Sequence, residues 1–377
     1  MPPLLSICIP TYNRSHLLCH LLRCLGREYS GLSEQGEVEI IVSDNCSEDG
    51  TPSVVKDFQE LIPIRYYRNE QNIGGTANIL QTPSLATGVF CWIVGDDDLL
   101  VPGALVQVLQ LLQQYPNVPA IVVGYSYQKE EDRDLFLDDA KLPKFDNSIY
   151  STTVKPHFID RWENTFFETK TAALHTSIVG CVFLREDWQA RFESFSSLWA
   201  VDDHTSLQST FPHTLIWSSS LISRPVLFCP QPYVYFFLGS QEWFQPKWQT
   251  MVFSFCLQLA QFFRIQGADE EAVKYYESLL LRQPGLTNLI LEPNSYARAH
   301  FSFSWLLKYY GMRDELWENL LNGTLSLHSR SAAVLARVCM RESLRHPPLW
   351  PAFIRYIFLL LFLRIKTKAL AQVRLLK

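Results

Sequence analysis

Short apolar runs alternate with stretches of helical spacing along the first third of the chain. Residues 4–9 (Leu-Leu-Ser-Ile-Cys-Ile) are an apolar run closed by Pro10, the pattern of a buried strand. Leu17, Leu18, Leu21, Leu22 and Leu25 then fall on one face of a helix, with Asn13 or Ser15 available to cap it. Residues 39–43 predict a second strand ending at Asp44, 51–60 a second helix and 62–68 a third strand. Residues 78–86 are a weaker helical stretch with Pro83 inside it, and 89–94 predict a fourth strand that runs into Gly95 and Asp96-Asp97-Asp98. A helix over 103–114 and a strand over 120–124 complete the unit.

Strands alternating with helices imply an α/β fold: a mostly parallel sheet flanked by helices on both faces. Ligands of such sheets bind beyond the carboxyl ends of the strands. The polar clusters fall there: Thr11 to Arg14 after the first strand, Asp44 to Asp49 after the second, Asn69 to Asn78 after the third, Asp96 to Asp98 after the fourth. Residues 126–150 are charged and read as an excursion or linker, while 177–184 and 215–220 have strand character. From about residue 248 the pattern turns helical and aromatic, with 272–283 a clear helix, and no fixed repeat period is found. The expected organisation is a domain over 1–240, with a first half over 1–125 and a second over 150–240, then a helical region over 241–340 and a tail over 341–377.

Composition narrows the class. The 377 residues are 47% hydrophobic, enough for a large core, and the net charge of −5 argues against a nucleic-acid partner. The nine cysteines form no CxxC pair, so neither a zinc site nor a redox pair is expected. Scattered thiols and the lack of a basic-then-apolar leader point to a reducing, cytoplasmic setting. The tail differs: residues 341–377 carry eight Lys/Arg against one acid. Its longest uninterrupted apolar run, 356–363, is eight residues, where a membrane span needs roughly 20. Residues 350–377 therefore read either as a helix lying on an anionic membrane surface or as a terminal helix packed on the protein.

The acidic triplet carries the candidate chemistry. Two like charges about 4 Å apart repel by about 1 kcal/mol in water and about 4 kcal/mol at an effective dielectric of about 20. A cation relieves that repulsion, and hard oxygen ligands select Mg²⁺ or Mn²⁺; the bland alternative is a solvated acidic turn. Asp44 closes a strand, where its carboxylate can accept from a base or ribose, while Asn45, Ser47, Asp49 and Gly50 also suit ordinary turn and capping chemistry.

Pro10-Thr11-Tyr12-Asn13-Arg14, Ser43-Asp44-Asn45-Cys46-Ser47-Glu48-Asp49-Gly50-Thr51, Asn72-Ile73-Gly74 with Asn78, and Gly95-Asp96-Asp97-Asp98 stand in that order. This set resembles family 2 glycosyltransferases of the GT-A fold, and within them the abequosyltransferase-like branch. The resemblance is specific over 4–125, weak over 175–240 and absent after about 250. It implies a nucleotide-sugar donor, UDP-, CDP- or dTDP-linked, and a divalent ion, Mn²⁺ or Mg²⁺. Asp44 with Thr11 and Tyr12 would hold the nucleoside. Asp96 would contact the ribose or the metal, Asp98 would ligate the metal, and Asp97 would do either. Asn72 and Asn78 would order the loop above the donor, with Pro10, Arg14 and Gly74 completing the donor-binding set.

The family's base is an Asp in a downstream acidic pair. Asp202-Asp203 is the best match, with Asp203 as base; Glu186-Asp187 competes, and His204 is an alternative base. A carboxylate that takes the acceptor's proton during attack on the anomeric carbon gives inversion. His157, His175 and His213 have no metal spacing. The aromatic stretch 233–248 suits either core packing or contact with a sugar or lipid carrier. The polymer synthases' Gln-x-x-Arg-Trp pattern is missing, so transfer of one sugar to a growing surface polysaccharide or lipid-linked oligosaccharide is expected. The rivals are a nucleotidyltransferase, which would carry a Gly-rich basic loop where Pro-Thr-Tyr-Asn-Arg stands, and a non-catalytic nucleotide-sugar-binding module.

Overall fold

The computed structural model describes residues 2–33, 35–136, 155–169, 175–195, 207–238, 246–282, 313–326, 337–341 and 349–359. Two compact units result, residues 1–244 with 258–276 and residues 245–257 with 277–377.

The first unit is built on one sheet. Strands β1 (Leu5–Thr11), β2 (Val38–Asp44), β3 (Ile64–Arg68) and β4 (Phe90–Ile93) are parallel, in the order β3-β2-β1-β4. They alternate with α1 (Ser15–Ser30), α2 (Thr51–Gln59) and α3 (Gly75–Gln81), and α4 (Ala104–Gln114) follows the short strand β5 (Leu99–Leu100). The five leucines on the predicted face of α1 are all buried. Both β1 and β2 are buried almost throughout, which is why they read as continuous apolar runs rather than alternating ones.

Beyond β4 the sheet becomes mixed. It continues through β8 (Cys181–Leu184), β6 (Ala120–Lys129) and β9 (Val226–Leu238). β8 runs antiparallel to both β4 and β6, β9 runs parallel to β6, and β5 and β7 (His157–Ile159) lie antiparallel on β9. Two expectations change here. The predicted strand at 120–124 does not end at Gly124. It passes a register shift and runs to Lys129, into the supposed linker. Gly124 lies at that irregularity because a Cβ there would come within 2.7 Å of the Gln231 carbonyl oxygen and 2.8 Å of that of Pro230. The second change is at 215–220, which is helical within α7 (Pro212–Leu221), not a strand. Residues 212–218 are buried on every side, so no period distinguished the two, and Pro212 at the first turn favours the helix. α5 (Arg185–Phe195) and the short α6 (Leu207–Thr210) precede it.

The remaining described elements are helical: α8 (Pro246–Ile265), α9 (Glu270–Leu281) and α10 (Asp314–Ser326). Within the second unit Arg313 pairs with Glu277 at 3.2 Å, and Asn319 Nδ2 donates to the Leu281 carbonyl at 2.7 Å. All nine cysteines are free thiols.

Neither Asn13 nor Ser15 caps α1 with its side chain. Asp49 does: one carboxylate oxygen accepts the Ser15 amide at 2.8 Å, and the other accepts the Thr51 amide at 3.0 Å and hydroxyl at 2.6 Å. One side chain thus closes the N-termini of α1 and α2. Burial opposes its ionisation, but the Thr51 hydroxyl and the two amides prevail and hold its carboxyl down at about 2. The contribution is therefore present above the unfolded-state value of about 4 and is lost as pH falls towards 2. Asp49→Ala is expected to lower unfolding free energy by about 1–2 kcal/mol at pH 7, with the gap closing as the pH approaches 2; urea unfolding at pH 7, 4 and 2.5 measures it.

Candidate functional site

The register of the parallel strands sets the first part of the site. Thr11 pairs with Asp44, and Asp44 with Arg68, so three polar side chains stand in a row at the carboxyl edge. Asp44 is fully buried. Its Oδ1 accepts the Ser47 amide at 2.8 Å, and its Oδ2 accepts the Tyr66 hydroxyl and lies 3.5 Å from Arg68 Nε. The loop after β1 is tied to the loop after β2: Asn13, at φ 53°, donates its amide to Ser47 Oγ and accepts the Glu48 amide, at 2.9 and 2.8 Å. Tyr12 beside it is 40% exposed and free to meet a planar ligand.

A network of side-chain amides holds the loop after β3. Asn72 Oδ1 accepts from Asn45 Nδ2 at 2.7 Å and from the Gly74 amide at 2.9 Å, and Asn45 Oδ1 accepts the Ile73 amide at 2.9 Å. Gly74 sits at φ 90°, a conformation open to glycine, and leads into α3. Asn78, on α3 and buried, accepts from Ser43 Oγ at 2.8 Å and donates to the Ser43 carbonyl at 2.9 Å. Gln81 bridges Asn69 and Asn78 at 2.8 and 3.0 Å. Asn78 is thus engaged by the protein itself, which suits a residue that shapes the loop.

The acidic triplet is the third part. It lies in a turn between β4, next to β1 in the sheet, and β5, which is paired to β9. Asp96, Asp97 and Asp98 are 4%, 8% and 1% exposed, so a solvated acidic turn is excluded. Asp96 accepts from Thr11 Oγ1 at 2.7 Å and from Arg14 at 3.2 Å, and the same Arg14 nitrogen is 3.3 Å from Asp97. Burial and the adjacent Asp97 charge push the Asp96 carboxyl up to about 7, with Arg14 and Thr11 pulling the other way. Burial, then Asp97, raise Asp98 well above the carboxylate range, with Arg133 opposing. Asp98 Oδ1 is buried with no hydrogen-bond partner among the described residues. A Cβ on Gly95 would stand 2.7 Å from Asp97 Oδ1 and 2.8 Å from Asp98 Oδ2, so only glycine lets the turn fold back over its own carboxylates.

The model of the glycosyl transferase family 2 matches residues 6–183. The chain is 41% identical over 115 residues to the abequosyltransferase RfbV of Salmonella typhimurium, covering 30% of this chain and 32% of that one. It is 27% identical over 191 residues to the GalNAc(5)-diNAcBac-PP-undecaprenol β-1,3-glucosyltransferase of Campylobacter jejuni, covering 47% and 60%. These matches therefore span less than two thirds of either relative's length. Among solved structures, S. aureus TarS aligns at a TM-score of 0.49 with 14% identity, over 93% of this chain and 88% of that one. The fold is a mixed sheet with flanking helices, followed by a helical region.

Asp202, Asp203 and His204 lie outside the described residues. The competing pair, Glu186 and Asp187, is placed, at the end of the sheet opposite the triplet. It opens α5, directly after β8, whose Leu184 is in register with Phe90 at the start of β4, opposite the triplet. Asp187 is bound to Arg224 at 2.7 Å. His175 and His213 are core residues, bonded to Thr165 Oγ1 at 2.6 Å and the Thr176 carbonyl at 2.9 Å; burial lowers them to about 3 and about 4. In the aromatic stretch, Tyr233, Tyr235 and Phe237 are buried in β9, so core packing accounts for them.

Sequence reasoning missed Tyr66, Arg68 and Arg133. The first two stand on β3, where Arg68 is in register with Asp44 and Tyr66, in register with Val42, reaches Asp44 through its hydroxyl. Arg133 stands within Glu-Glu-Asp-Arg-Asp, a charge run with no sign of burial.

Proposed function

We propose that this chain is an inverting glycosyltransferase that moves one sugar from a nucleotide-sugar donor, with a divalent cation, to a glycan or lipid-linked oligosaccharide of surface polysaccharide synthesis. The observation that carries it is the buried triplet beside Asp44 and the amide network at one sheet edge. Asp44, Thr11 and Tyr12 hold the nucleoside, Pro10, Arg14, Asn72 and Gly74 border the donor, and Asn78 braces the loop above it. Among the described residues no cluster of three His, Cys, Asp or Glu holds a metal unaided. Mg²⁺ or Mn²⁺ usually takes one or two carboxylates plus substrate phosphates. The open oxygen of Asp98 fits such an ion, with Asp96 or Asp97 beside it. When bound, the ion neutralises charge on the departing diphosphate. Asp203, with Asp202 next to it, accepts the acceptor hydroxyl's proton.

The lipid-linked acceptor is favoured by the Campylobacter relative, whose name includes undecaprenol diphosphate. A membrane-facing surface agrees with it, on the cytoplasmic side. Residues 350–359 are helical, and Trp350, Ile354 and Phe358, spaced by four, are 47%, 60% and 71% exposed, while Tyr356 is buried. No helix among the described residues is long and apolar enough to cross a membrane.

Three tests follow from this reading. UDP, CDP, GDP or dTDP is expected to raise the melting temperature only with Mn²⁺ present, since a ligand at about 100 times its Kd adds about 2.7 kcal/mol. Asp98→Ala is expected to abolish the shift; no response to any nucleotide would overturn the donor-site reading. Asp203→Asn is expected to cut turnover by about 10²–10⁴-fold while retaining donor binding, and near-normal turnover would remove Asp203 as base. Ile354→Glu with Phe358→Glu is expected to reduce co-sedimentation with phosphatidylglycerol vesicles several-fold; unchanged binding would support a packed terminal helix.

A further inference from the structure

Arg133 lies in the 3₁₀ segment Glu130–Phe136 that follows β6 and is 4% exposed. Its paired nitrogens all serve to fix it in place. Nε and Nη2 fork onto the Glu130 carboxylate at 2.6 and 2.7 Å, and Nη2 also donates to the main-chain carbonyl of Asp97 at 2.7 Å. The guanidinium carbon stands 4.0 Å from the centre of the Phe237 ring on β9. The same strand grips the chain just after the triplet, through Leu99 and Leu100 against Tyr235 and Val234. The turn over 95–98 is therefore held by β4 on one side, by β5 on the other, and by Arg133 at its middle carbonyl.

Stability does not explain this arrangement. A buried guanidinium is expensive to desolvate, and well-packed apolar residues usually replace such ion pairs without loss. Arg133 Nη1 is moreover buried with no partner among the described residues, as Asp98 Oδ1 is. What Arg133 contributes that an apolar side chain could not is a directed N–H to a carbonyl one residue before Asp98. We infer that Arg133 is a positioning residue, which fixes the Asp97–Asp98 peptide and so sets the direction in which Asp98 presents its open oxygen to a divalent cation. The inference rests on the donor-site reading above. It adds a role for the segment after β6, which reaches the site through Arg133.

The test is Mn²⁺ affinity of the full chain, titrated alone and with UDP, CDP, GDP or dTDP, read by the electron paramagnetic resonance of free Mn²⁺ beside melting temperature. Arg133→Gln is expected to weaken Mn²⁺ binding about 10–100-fold, the usual effect of losing a group that orients a metal ligand. Arg133→Lys is expected to fall between, since an ammonium reaches the carbonyl but cannot also fork onto Glu130. Glu130→Gln, at a carboxylate 34% exposed, is expected to shift affinity in the same direction by less and leave folding intact. If Arg133→Gln does not fold, the other two variants decide. Lowered melting temperature with Mn²⁺ affinity within twofold of wild type in the folded variants overturns the inference and leaves Arg133 a structural residue. Absence of Mn²⁺ binding by the wild type overturns the donor-site reading itself, and this inference with it.

Discussion

Burial of three consecutive carboxylates is the constraint to which the rest of the first unit answers. Each loses hydration, and each repels its neighbours at short range. The compensation comes from four residues: Thr11 at the end of β1, Arg14 just after it, Gly95 through its missing side chain, and Arg133 after β6. It is incomplete, because Asp98 retains an oxygen with no partner among the described residues. A fold selected for stability would have placed these acids in water. One that keeps them inside holds ready a strong local demand for positive charge.

The other side of the site has the opposite character. Asn45, Asn69, Asn72, Asn78 and Gln81 satisfy one another and the backbone. A satisfied polar network is rigid, and here it fixes the loop after β3 by side chains where the sheet no longer can. The site thus joins a charged half with open valences to a neutral half without them.

The parallel half was legible because burial on both faces leaves an unbroken apolar run, and because each run stops at a polar cluster. Thr11, Asp44 and Asp96 could be assigned to one edge from that rule before any distance was known. Three features were not legible. The antiparallel β8 lies between β4 and β6 although it comes some fifty residues later than β6, and no local pattern encodes so long a return. β9 carries Pro230 and Pro232, which break its strand signal at the irregularity facing Gly124. Arg133 sits among acids, where a sequence shows charge but not the packing that buries it. The strand predicted at 215–220 failed for a related reason, since a short run buried all round has no period.

The pairing of β5 with β9 has a consequence for synthesis. The amide-lined loop and the strands under it close within the first hundred residues. The acidic turn is clamped only when Val234 and Tyr235 arrive. At about 5–20 residues per second, the ribosome needs roughly 7–30 s to deliver them after Asp98. During that interval the nascent chain has a nearly finished amide-lined loop but no fixed geometry for its acids. A fixed geometry for the acidic turn is thereby deferred until residues 234 and 235 have been made.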